Sequence, residues 1–171
     1  ESGATLPDGE VGQIEVRGAN VFKGYWQMPE KTAAELREDG FFITGDLGKI
    51  DADGYVHIVG RNKDLIISGG YNIYPKEIEL ILDEQPGVLE SAVIGVPHAD
   101  FGETVVGLIV PEAGANPDLD AIQSAVSDGL ARFKHPRKLI VVDTLPRNTM
   151  GKVQKNILRD TYADLFAPVA E

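Results

Sequence analysis

The sequence changes its pattern near residue 60, and this change constrains the fold more than any other feature. Residues 12–18 and 55–59 alternate polar and apolar side chains, as half-buried strands do, and Asp51-Ala52-Asp53-Gly54 is typical of a turn. Beyond residue 60 the apolar spacing changes, and helical periods alternate with strand-like runs. The sequence therefore predicts a β-rich segment, residues 1–60, followed by an α+β domain, residues 61–171.

Helices and strands alternate in a definite order after residue 75. The pattern predicts a helix from Pro75, strands at 88–96 and 104–110, a helix that Asn116 caps, a strand at 138–142 and a helix at 153–166. Pro97 is expected to end the first of these strands. The fold class is thus α+β, with a short central sheet flanked by helices.

Composition excludes several classes of protein. The 171 residues are 43% hydrophobic and 25% charged, which is ordinary for a globular protein. The absence of Cys excludes a disulfide framework, a zinc–thiolate site and a cysteine nucleophile. No apolar run approaches the roughly 18–20 residues of a membrane span, and no signal peptide is visible. We therefore expect a cytoplasmic protein and, since the chain begins at Glu1 without Met, a segment of a longer one.

The net charge of −11 is unevenly distributed. Residues 131–171 carry eight of the sixteen Lys and Arg side chains but four of the 27 Asp and Glu side chains. A solvated surface and a phosphate-facing patch both explain this basic segment. The acidic remainder and the lack of RNP, helix-turn-helix or zinc-finger signatures argue against nucleic-acid binding.

Thr44-Gly45-Asp46 is the first motif with chemical content. A carboxylate after a tight Gly turn can accept two hydrogen bonds from vicinal hydroxyls, such as those of a ribose. Most triplets of this kind are ordinary turns, so the motif alone decides nothing.

A second motif runs from Gly60 to Pro75. The charged junction Gly60-Arg61-Asn62-Lys63-Asp64 precedes a short apolar run, the break Ser68-Gly69-Gly70 and a second run, Tyr71-Asn72-Ile73-Tyr74. Two adjacent glycines permit positive φ and the close approach of a backbone or ligand. The pattern predicts a hairpin with a glycine-rich tip.

The third motif is Pro146-Arg147-Asn148-Thr149-Met150-Gly151-Lys152-Val153-Gln154-Lys155. A Gly beside a Lys at a helix start places an ammonium group next to backbone donors, which suits an anion. It is not the phosphate loop Gly-x-x-x-x-Gly-Lys-Ser/Thr, because the upstream glycine and the hydroxyl are both missing.

In this order and spacing, and together with the strand at residues 12–18 and Gly24-Tyr25-Trp26, the three motifs resemble the adenylate-forming superfamily. Its members include acyl-CoA synthetases, peptide-synthetase adenylation domains and luciferases. The resemblance covers nearly the whole chain. It implies that residues 1–60 are a β-hairpin or barrel remnant of the large domain and that residues 61–171 are the small lid domain. The family's phosphate loop, adenine pocket and acyl pocket precede this segment, which implies that the segment alone is inactive.

The resemblance implies a reaction in two steps. A carboxylic acid and ATP give acyl-AMP and pyrophosphate, and the CoA thiol then displaces AMP. Asp46 and Arg61 would contact the ribose, and Lys152 would bridge the acyl carboxylate and the α-phosphate during adenylation. Lys63, two residues after Arg61, would be the hinge, near residues 61–64, about which the lid rotates.

The same resemblance implies a CoA site and a source for the metal. The paired glycines Gly69 and Gly70 would line the pantetheine tunnel. By position, Phe101, Phe133, Lys134 and His135 would hold the CoA nucleotide, although the match is loose there and both Phe residues are equally explained as core. No metal-ligand set is visible in the chain, and Mg²⁺ would come with ATP, held mostly by the preceding part.

The substrate and the regulation remain open at this point. The third motif is most similar to that of malonyl-CoA synthetases and their short- and medium-chain relatives, so malonate is one expected acid. Acyl-CoA synthetases of this type are commonly silenced by acetylation of the Gly-Lys lysine, which implies an acetyltransferase and a deacetylase that act on Lys152. The alternatives are an amino-acid-activating adenylation domain and a non-catalytic fragment that serves as the substrate of an acetyltransferase.

Overall fold

The computed structural model describes residues 4–167. They divide into two compact units, one within Glu1–Lys63 and the other within Asp64–Glu171. The division falls close to the predicted boundary at residue 60, and the assignment of these units to the two family domains stays a prediction. No helix among the described residues is both long and apolar enough to cross a membrane.

Over residues 4–63, the first unit is a three-stranded antiparallel sheet with one short helix. In chain order its elements are β1 (Gly12–Val16), α1 (Pro29–Glu35), β2 (Phe42–Ile50) and β3 (Val56–Arg61). The strands lie in the order β1-β2-β3. The turn after β2 closes because Asp51 Oδ1 accepts the backbone N–H groups of Asp53 and Tyr55, at 3.0 and 2.9 Å.

The second unit has five strands and three helices within residues 64–167. In chain order they are β4 (Ile66–Ser68), β5 (Tyr71–Ile73), α2 (Pro75–Asp83), β6 (Val88–His98), β7 (Gly102–Pro111), α3 (Leu119–Gly129), β8 (Lys138–Val141) and α4 (Lys155–Thr161). Two short 3₁₀ turns, Asn62–Asp64 and Arg132–Lys134, complete the described elements. This arrangement is the predicted α+β class.

Strand β7 organises the sheet of the second unit. Along one edge it pairs antiparallel with β6, from Val88 opposite Pro111 to His98 opposite Gly102. Along the other edge it pairs parallel with β8 and, at its first residue, Gly102, antiparallel with β4. Because parallel neighbours need a crossover connection, α3 lies in the chain between β7 and β8.

Alternate residues of β7 feed two apolar cores on opposite faces of this sheet. Val105 and Ile109 belong to the core that α2 and α3 cover, whereas Val106 and Leu108 belong to the core that includes Leu158 of α4. This is the period-two pattern of a strand buried on both faces. Full burial of each such side chain contributes roughly 1.5–3 kcal/mol, so the five buried apolar side chains of β7 contribute strongly to the stability of the second unit.

Two strand and helix ends differ from the sequence-based expectations. Strand β6 continues through Pro97 to His98, because β6 lies at the edge of the described sheet, where a residue without an N–H is tolerated. Helix α3 is capped by Asp118 rather than by Asn116. Asp118 Oδ1 accepts the N–H groups of Asp120 and Ala121, both at 3.1 Å, as an N-cap side chain does.

The last helix is also shorter than expected. Helix α4 spans Lys155–Thr161, and residues 162–166 form turns in place of the predicted continuation. Apolar periodicity persists into these turns because Leu165 and Phe166 still pack against the core that contains Leu158. The pattern therefore identified the packing correctly and the local conformation wrongly.

Candidate functional site

Strands β2 and β3 bring Asp46 and Arg61 together. The two residues are directly paired across the strands, and Arg61 Nε lies 3.0 Å from Asp46 Oδ1. Both side chains are partly exposed. The contact engages one carboxylate oxygen and one guanidinium nitrogen, which leaves acceptor and donor capacity for a ligand that carries hydroxyl groups.

The motif Thr44-Gly45-Asp46 lies inside β2 and is not a separate turn. Gly45 has φ +75°, in the left-handed region that favours glycine. Thr44 Oγ1 donates to the Ile14 carbonyl at 2.8 Å and accepts the N–H of Asp46 at 3.1 Å. The hydroxyl therefore fixes the backbone on both sides of the glycine, and with it the position of Asp46.

Lys63 is exposed and occupies the middle of the 3₁₀ turn Asn62–Asp64. The next residue, Asp64, is ion-paired with Arg159 of α4 at 2.6 Å. This pair anchors the start of the second unit to its last helix. The role of Lys63 as a hinge stays a prediction.

The glycine-rich hairpin predicted from the sequence is confirmed. Strands β4 and β5 pair antiparallel, and Gly69 and Gly70 form the tip with φ +56° and +83°. The N–H of Gly69 donates to the Phe101 carbonyl at 2.9 Å. A Cβ at Gly69 would lie 3.3 Å from the Phe101 ring, whereas one at Gly70 would meet open space. The tip thus packs against Phe101 on one side and is open on the other.

Two aromatic side chains expected to contact CoA flank this hairpin. Phe133 stacks on Tyr71 with ring centroids 4.5 Å apart, and the Arg137 guanidinium lies 4.4 Å from the Phe101 ring centroid. Phe101 and Phe133 are 36% and 40% exposed. They are therefore surface aromatics rather than core residues.

Lys134 and His135 are engaged within the second unit. Lys134 Nζ donates to both carboxylate oxygens of Glu77, each at 2.7 Å. His135 Nε2 lies 2.8 Å from the Leu130 carbonyl oxygen and donates to it in the tautomer that carries this proton. Both contacts hold the 3₁₀ turn that carries Phe133, so neither side chain is aimed at open solvent.

Lys152 lies in a loop of residues 146–154, between β8 and α4, which we call the lysine loop. The loop is closed by an isolated antiparallel bridge between Arg147 and Val153. Lys152 is exposed, and within residues 4–167 its ammonium group has no hydrogen-bond or ion-pair partner. Its charge is thus available to an anion.

Half of the cations in the basic segment form ion pairs within the second unit. Four of its cations pair with carboxylates: Lys134 with Glu77, Arg147 with Glu90, Lys155 with Glu79 and Arg159 with Asp64. The pair of Lys155 and Glu79 is the most buried, with side chains 16% and 10% exposed. Half of the cations of this segment are therefore engaged within the second unit, and whether the others form a solvated surface or face a phosphate stays a prediction.

The sequence analysis assigned no role to three residues beside these segments. Tyr71 and Arg137 cover Phe133 and Phe101, and Asn148 organises the lysine loop. A signal existed for each: Tyr71 directly follows the paired glycines, Arg137 lies two residues after the aromatic and basic run, and Asn is typical of residues that hydrogen-bond their own turn. Contacts between segments distant in the chain carry no such signal.

No predicted site residue lines the open depression of about 450 Å³ in the first unit. Tyr25 and the highly exposed Trp26 are among its lining residues. The Tyr25 hydroxyl donates to Glu35 at 2.5 Å, and this hydrogen bond raises the pKa of Tyr25. Within residues 4–167, no three His, Cys, Asp or Glu side chains are grouped so as to hold a metal ion.

Curated relatives are similar to nearly the whole chain. A feruloyl-CoA synthase from an Amycolatopsis species is 47% identical over 161 residues, which are 94% of this chain and 33% of that protein. The indoleacetate–CoA ligase of Aromatoleum aromaticum is 42% identical over 163 residues, 95% of this chain and 32% of that protein. The chain thus spans about a third of the length of these relatives.

Solved structures show the same similarity. ATP-bound MatB from Rhodopseudomonas palustris superposes with a TM-score of 0.89 at 63% identity, over 97% of this chain and 33% of that one. The amide bond synthetase McbA from Marinactinospora thermotolerans has a TM-score of 0.89 at 40% identity, over 95% of this chain and 33% of that one.

A family model described as the AMP-binding enzyme C-terminal domain matches residues 77–152. The match starts in α2, covers the strands β6, β7 and β8 and ends at Lys152. The chain therefore belongs to the adenylate-forming superfamily and corresponds to a C-terminal portion of its members.

Proposed function

We propose that this chain is the C-terminal part of an ATP-dependent acyl-CoA ligase. The complete enzyme would convert a carboxylic acid and ATP to acyl-AMP and pyrophosphate, and would then transfer the acyl group to CoA. Support comes from relatives that are named as CoA ligases or synthetases of several different acids. Mg²⁺ would bind together with ATP as its counter-ion.

The observation that carries the proposal is the state of Lys152. Its exposed ammonium group has no partner among the described residues, and its backbone is held by hydrogen bonds within the lysine loop. Adenylation joins two anions, a carboxylate and a phosphate, and builds further negative charge on the α-phosphate. A fixed positive charge at that position offsets the repulsion and stabilises the transition state.

Asp46 and Arg61 are proposed to bind the ribose of the nucleotide. The free acceptor capacity of the Asp46 carboxylate suits the two vicinal hydroxyls, and Arg61 keeps donors for ring or hydroxyl oxygens. The hydrogen bonds of Thr44 support this role because they fix the Asp46 backbone before a ligand arrives. A preformed acceptor loses less entropy on binding.

The CoA site is proposed at the glycine hairpin of the second unit. Gly69 and Gly70 would let the pantetheine chain approach the backbone, and the exposed rings of Phe101 and Phe133 would support the nucleotide. Tyr71 and Arg137 extend the same surface. Lys134 and His135 take part only if they exchange Glu77 and the Leu130 carbonyl for groups of CoA.

Lys63 is proposed as the hinge between the two half-reactions. A few positions absorb the φ/ψ change of a domain rotation, and Pro fixes φ near −65° and removes an amide donor. In the full-length enzyme, Lys63→Pro is expected to keep pyrophosphate release and to lose transfer to CoA. A variant that performs both steps in the wild-type ratio would show that Lys63 is not the hinge.

Malonate is proposed as the acid. The support is the lysine-loop sequence, residues 146–154, which resembles that of malonyl-CoA synthetases. A panel of carboxylic acids in a pyrophosphate-release assay tests this choice. Preference for a monocarboxylic acid over malonate would contradict it.

The function itself is tested by Lys152→Ala in the full-length enzyme. Loss of one preorganised charge costs on the order of 10²–10³ in rate, and this loss is expected in acyl-AMP formation alone. Conversion of supplied acyl-AMP to acyl-CoA is expected to persist. Lys138→Ala, which removes another exposed lysine of the second unit, is the matched control. Equal losses in both half-reactions would contradict the role of Lys152.

Regulation by Nε-acetylation of Lys152 is part of the proposal. The exposed, unpartnered ammonium group is open to a Gcn5-type acetyltransferase, and acetylation would remove the charge on which adenylation depends. A deacetylase would restore it. Peptide mapping after incubation of the chain with acetyltransferase is expected to find Lys152 modified faster than Lys76 or Lys138. Unchanged acetyl incorporation in Lys152→Arg would contradict this regulation.

A further inference from the structure

Ion pairs to the rest of the second unit hold the lysine loop on both sides of Lys152, one from Arg147 within the loop and one from Lys155, which directly follows it. Before Lys152, Arg147 pairs with Glu90 of β6. After it, Lys155 pairs with Glu79 of α2, and the same Glu79 oxygen accepts the N–H of Val93 in β6 at 2.9 Å. Both ends of the loop are therefore tied to the sheet that carries the cores.

Inside the loop, Asn148 forms hydrogen bonds with both the backbone N–H and the backbone carbonyl of Lys152. Its Oδ1 accepts the Lys152 N–H at 2.9 Å, and its own N–H donates to the Lys152 carbonyl at 3.0 Å. The same Oδ1 accepts the Met150 N–H at 3.0 Å, and the Asn148 carbonyl accepts the Gly151 N–H at 2.9 Å. One residue thus fixes the whole tip of the loop.

Arg147 connects this tip to the sheet. One terminal nitrogen donates to the Gly151 carbonyl at 2.6 Å, and the other contacts Glu90. The peptide bond between Gly151 and Lys152 is consequently held through its carbonyl by Arg147 and through its N–H by Asn148. This fixed backbone contrasts with the side chain of Lys152, which is exposed and has no partner in the part of the chain that the structure describes.

We propose that Asn148, assisted by Arg147, is a positioning residue that fixes the backbone of Lys152 for adenylation. The inference rests on the proposed function of Lys152. Asn148 acts through Lys152 and need not touch substrate itself. A catalytic group must be held close to its productive geometry, because a displacement of about 1 Å can cost roughly a hundredfold in rate.

Amide hydrogen exchange in the 171-residue chain tests the backbone part of the proposal. Asn148→Ala is expected to speed exchange of the Lys152 and Met150 amides by about fivefold or more, the effect of losing one hydrogen bond of ordinary net strength. Asn148→Asp keeps the accepting oxygen and is expected to restore slow exchange. Asn156→Ala, the same substitution at an exposed position of α4, is the control. Exchange at Lys152 that does not respond to Asn148→Ala would overturn the proposal.

Half-reaction kinetics of the full-length enzyme test the functional part. Asn148→Ala is expected to lower kcat for acyl-AMP formation by roughly 10- to 100-fold and to leave KM for ATP and the conversion of supplied acyl-AMP to acyl-CoA within about twofold of wild type. An active parent enzyme with unchanged adenylation, or with equal losses in both half-reactions, would overturn the positioning role alone. A parent that forms no acyl-AMP would overturn the proposed function, and the positioning role with it.

Discussion

The two compact units differ in how much apolar surface they bury. Among the described residues, eighteen of the nineteen buried apolar side chains lie after residue 64, and the first unit contributes Leu47. The first unit instead exposes large apolar side chains, among them Trp26, Tyr55 and Ile58. Both units are rich in β-structure, so strand content alone does not indicate which one is stable.

This difference teaches that the sheet of the second unit is stabilised by what covers it. Helices α2 and α3 cover one face and α4 the other, so alternate residues of β7 are buried on both sides. In the first unit, β3 exposes Val56 and Ile58. Apolar burial is the dominant favourable term in folding, and we therefore expect the two units to respond very differently to the same perturbation.

The largest contrast is expected when the units are separated. Residues 64–171 alone are expected to fold and to unfold cooperatively, whereas residues 1–63 alone are expected to remain unfolded, because about 60 residues with so small a core are marginal at best. Amide chemical-shift dispersion and thermal unfolding by circular dichroism measure this. A cooperative unfolding transition in residues 1–63 alone would contradict the expected difference in stability between the two units.

The next contrast comes from one substitution made in each unit. Ile109 is fully buried and Ile58 is 65% exposed. Ile109→Ala is expected to lower the free energy of unfolding of the second unit by about 4 kcal/mol. Ile58→Ala is expected to change that of the first unit by less than about 0.5 kcal/mol. Urea titration followed by the amide resonances of each unit gives both values, and similar values would contradict the contrast in burial.

Ion pairs of the two units are expected to differ as well. Lys155→Met leaves Glu79 charged in a mostly buried position and is expected to cost about 3 kcal/mol. Glu15→Gln breaks the more exposed pair with Arg37 and is expected to cost less than about 1 kcal/mol. The double variant with Glu79→Leu should recover part of the loss, because it removes the unpaired charge. If the double variant recovers none of the lost stability, Lys155 stabilises the second unit through packing rather than through its charge.

The smallest expected effect is on the stability of the first unit at low pH. The hydrogen bond from His57, aided by that from the Tyr55 N–H, lowers the pKa of Asp51. A lowered pKa in the folded state means that Asp51 stabilises the first unit near neutral pH and that this contribution disappears as the pH falls through the lowered pKa. Asp51→Asn is therefore expected to flatten the loss of stability below about pH 4. An identical acid profile in the variant would contradict the role of Asp51.

Local patterns predicted the elements well and their ends less well. Alternation and helical stripes identified the order of helices and strands, since these periods reflect burial directly. The predicted end of β6 at Pro97 was wrong because a proline is tolerated at a sheet edge. The predicted cap Asn116 was wrong because Asp118, two residues further on, offers its own carboxylate as the cap of α3. Tertiary packing decides which of two suitable residues caps the helix.

The candidate site was predictable where a motif is contiguous. The positions of Asp46, Arg61, Gly69 and Lys152 follow from short sequence strings, although the structure leaves their roles as proposals. The pairing of Lys134 with Glu77 and of Lys155 with Glu79 was not predictable, because these partners lie 57 and 76 residues apart. A charge count alone therefore overestimated how many cations of the basic segment face a ligand.

The parallel pairing of β7 with β8 has a consequence for the order of folding. Strands β6 and β7 are joined by a tight connection and can pair early, whereas β8 must wait until the 26 residues between Pro111 and Lys138, including α3, have closed. The lysine loop follows β8 in the chain, so we expect it to reach its native conformation late. During synthesis and refolding, the sheet would then be complete before Lys152 is in place.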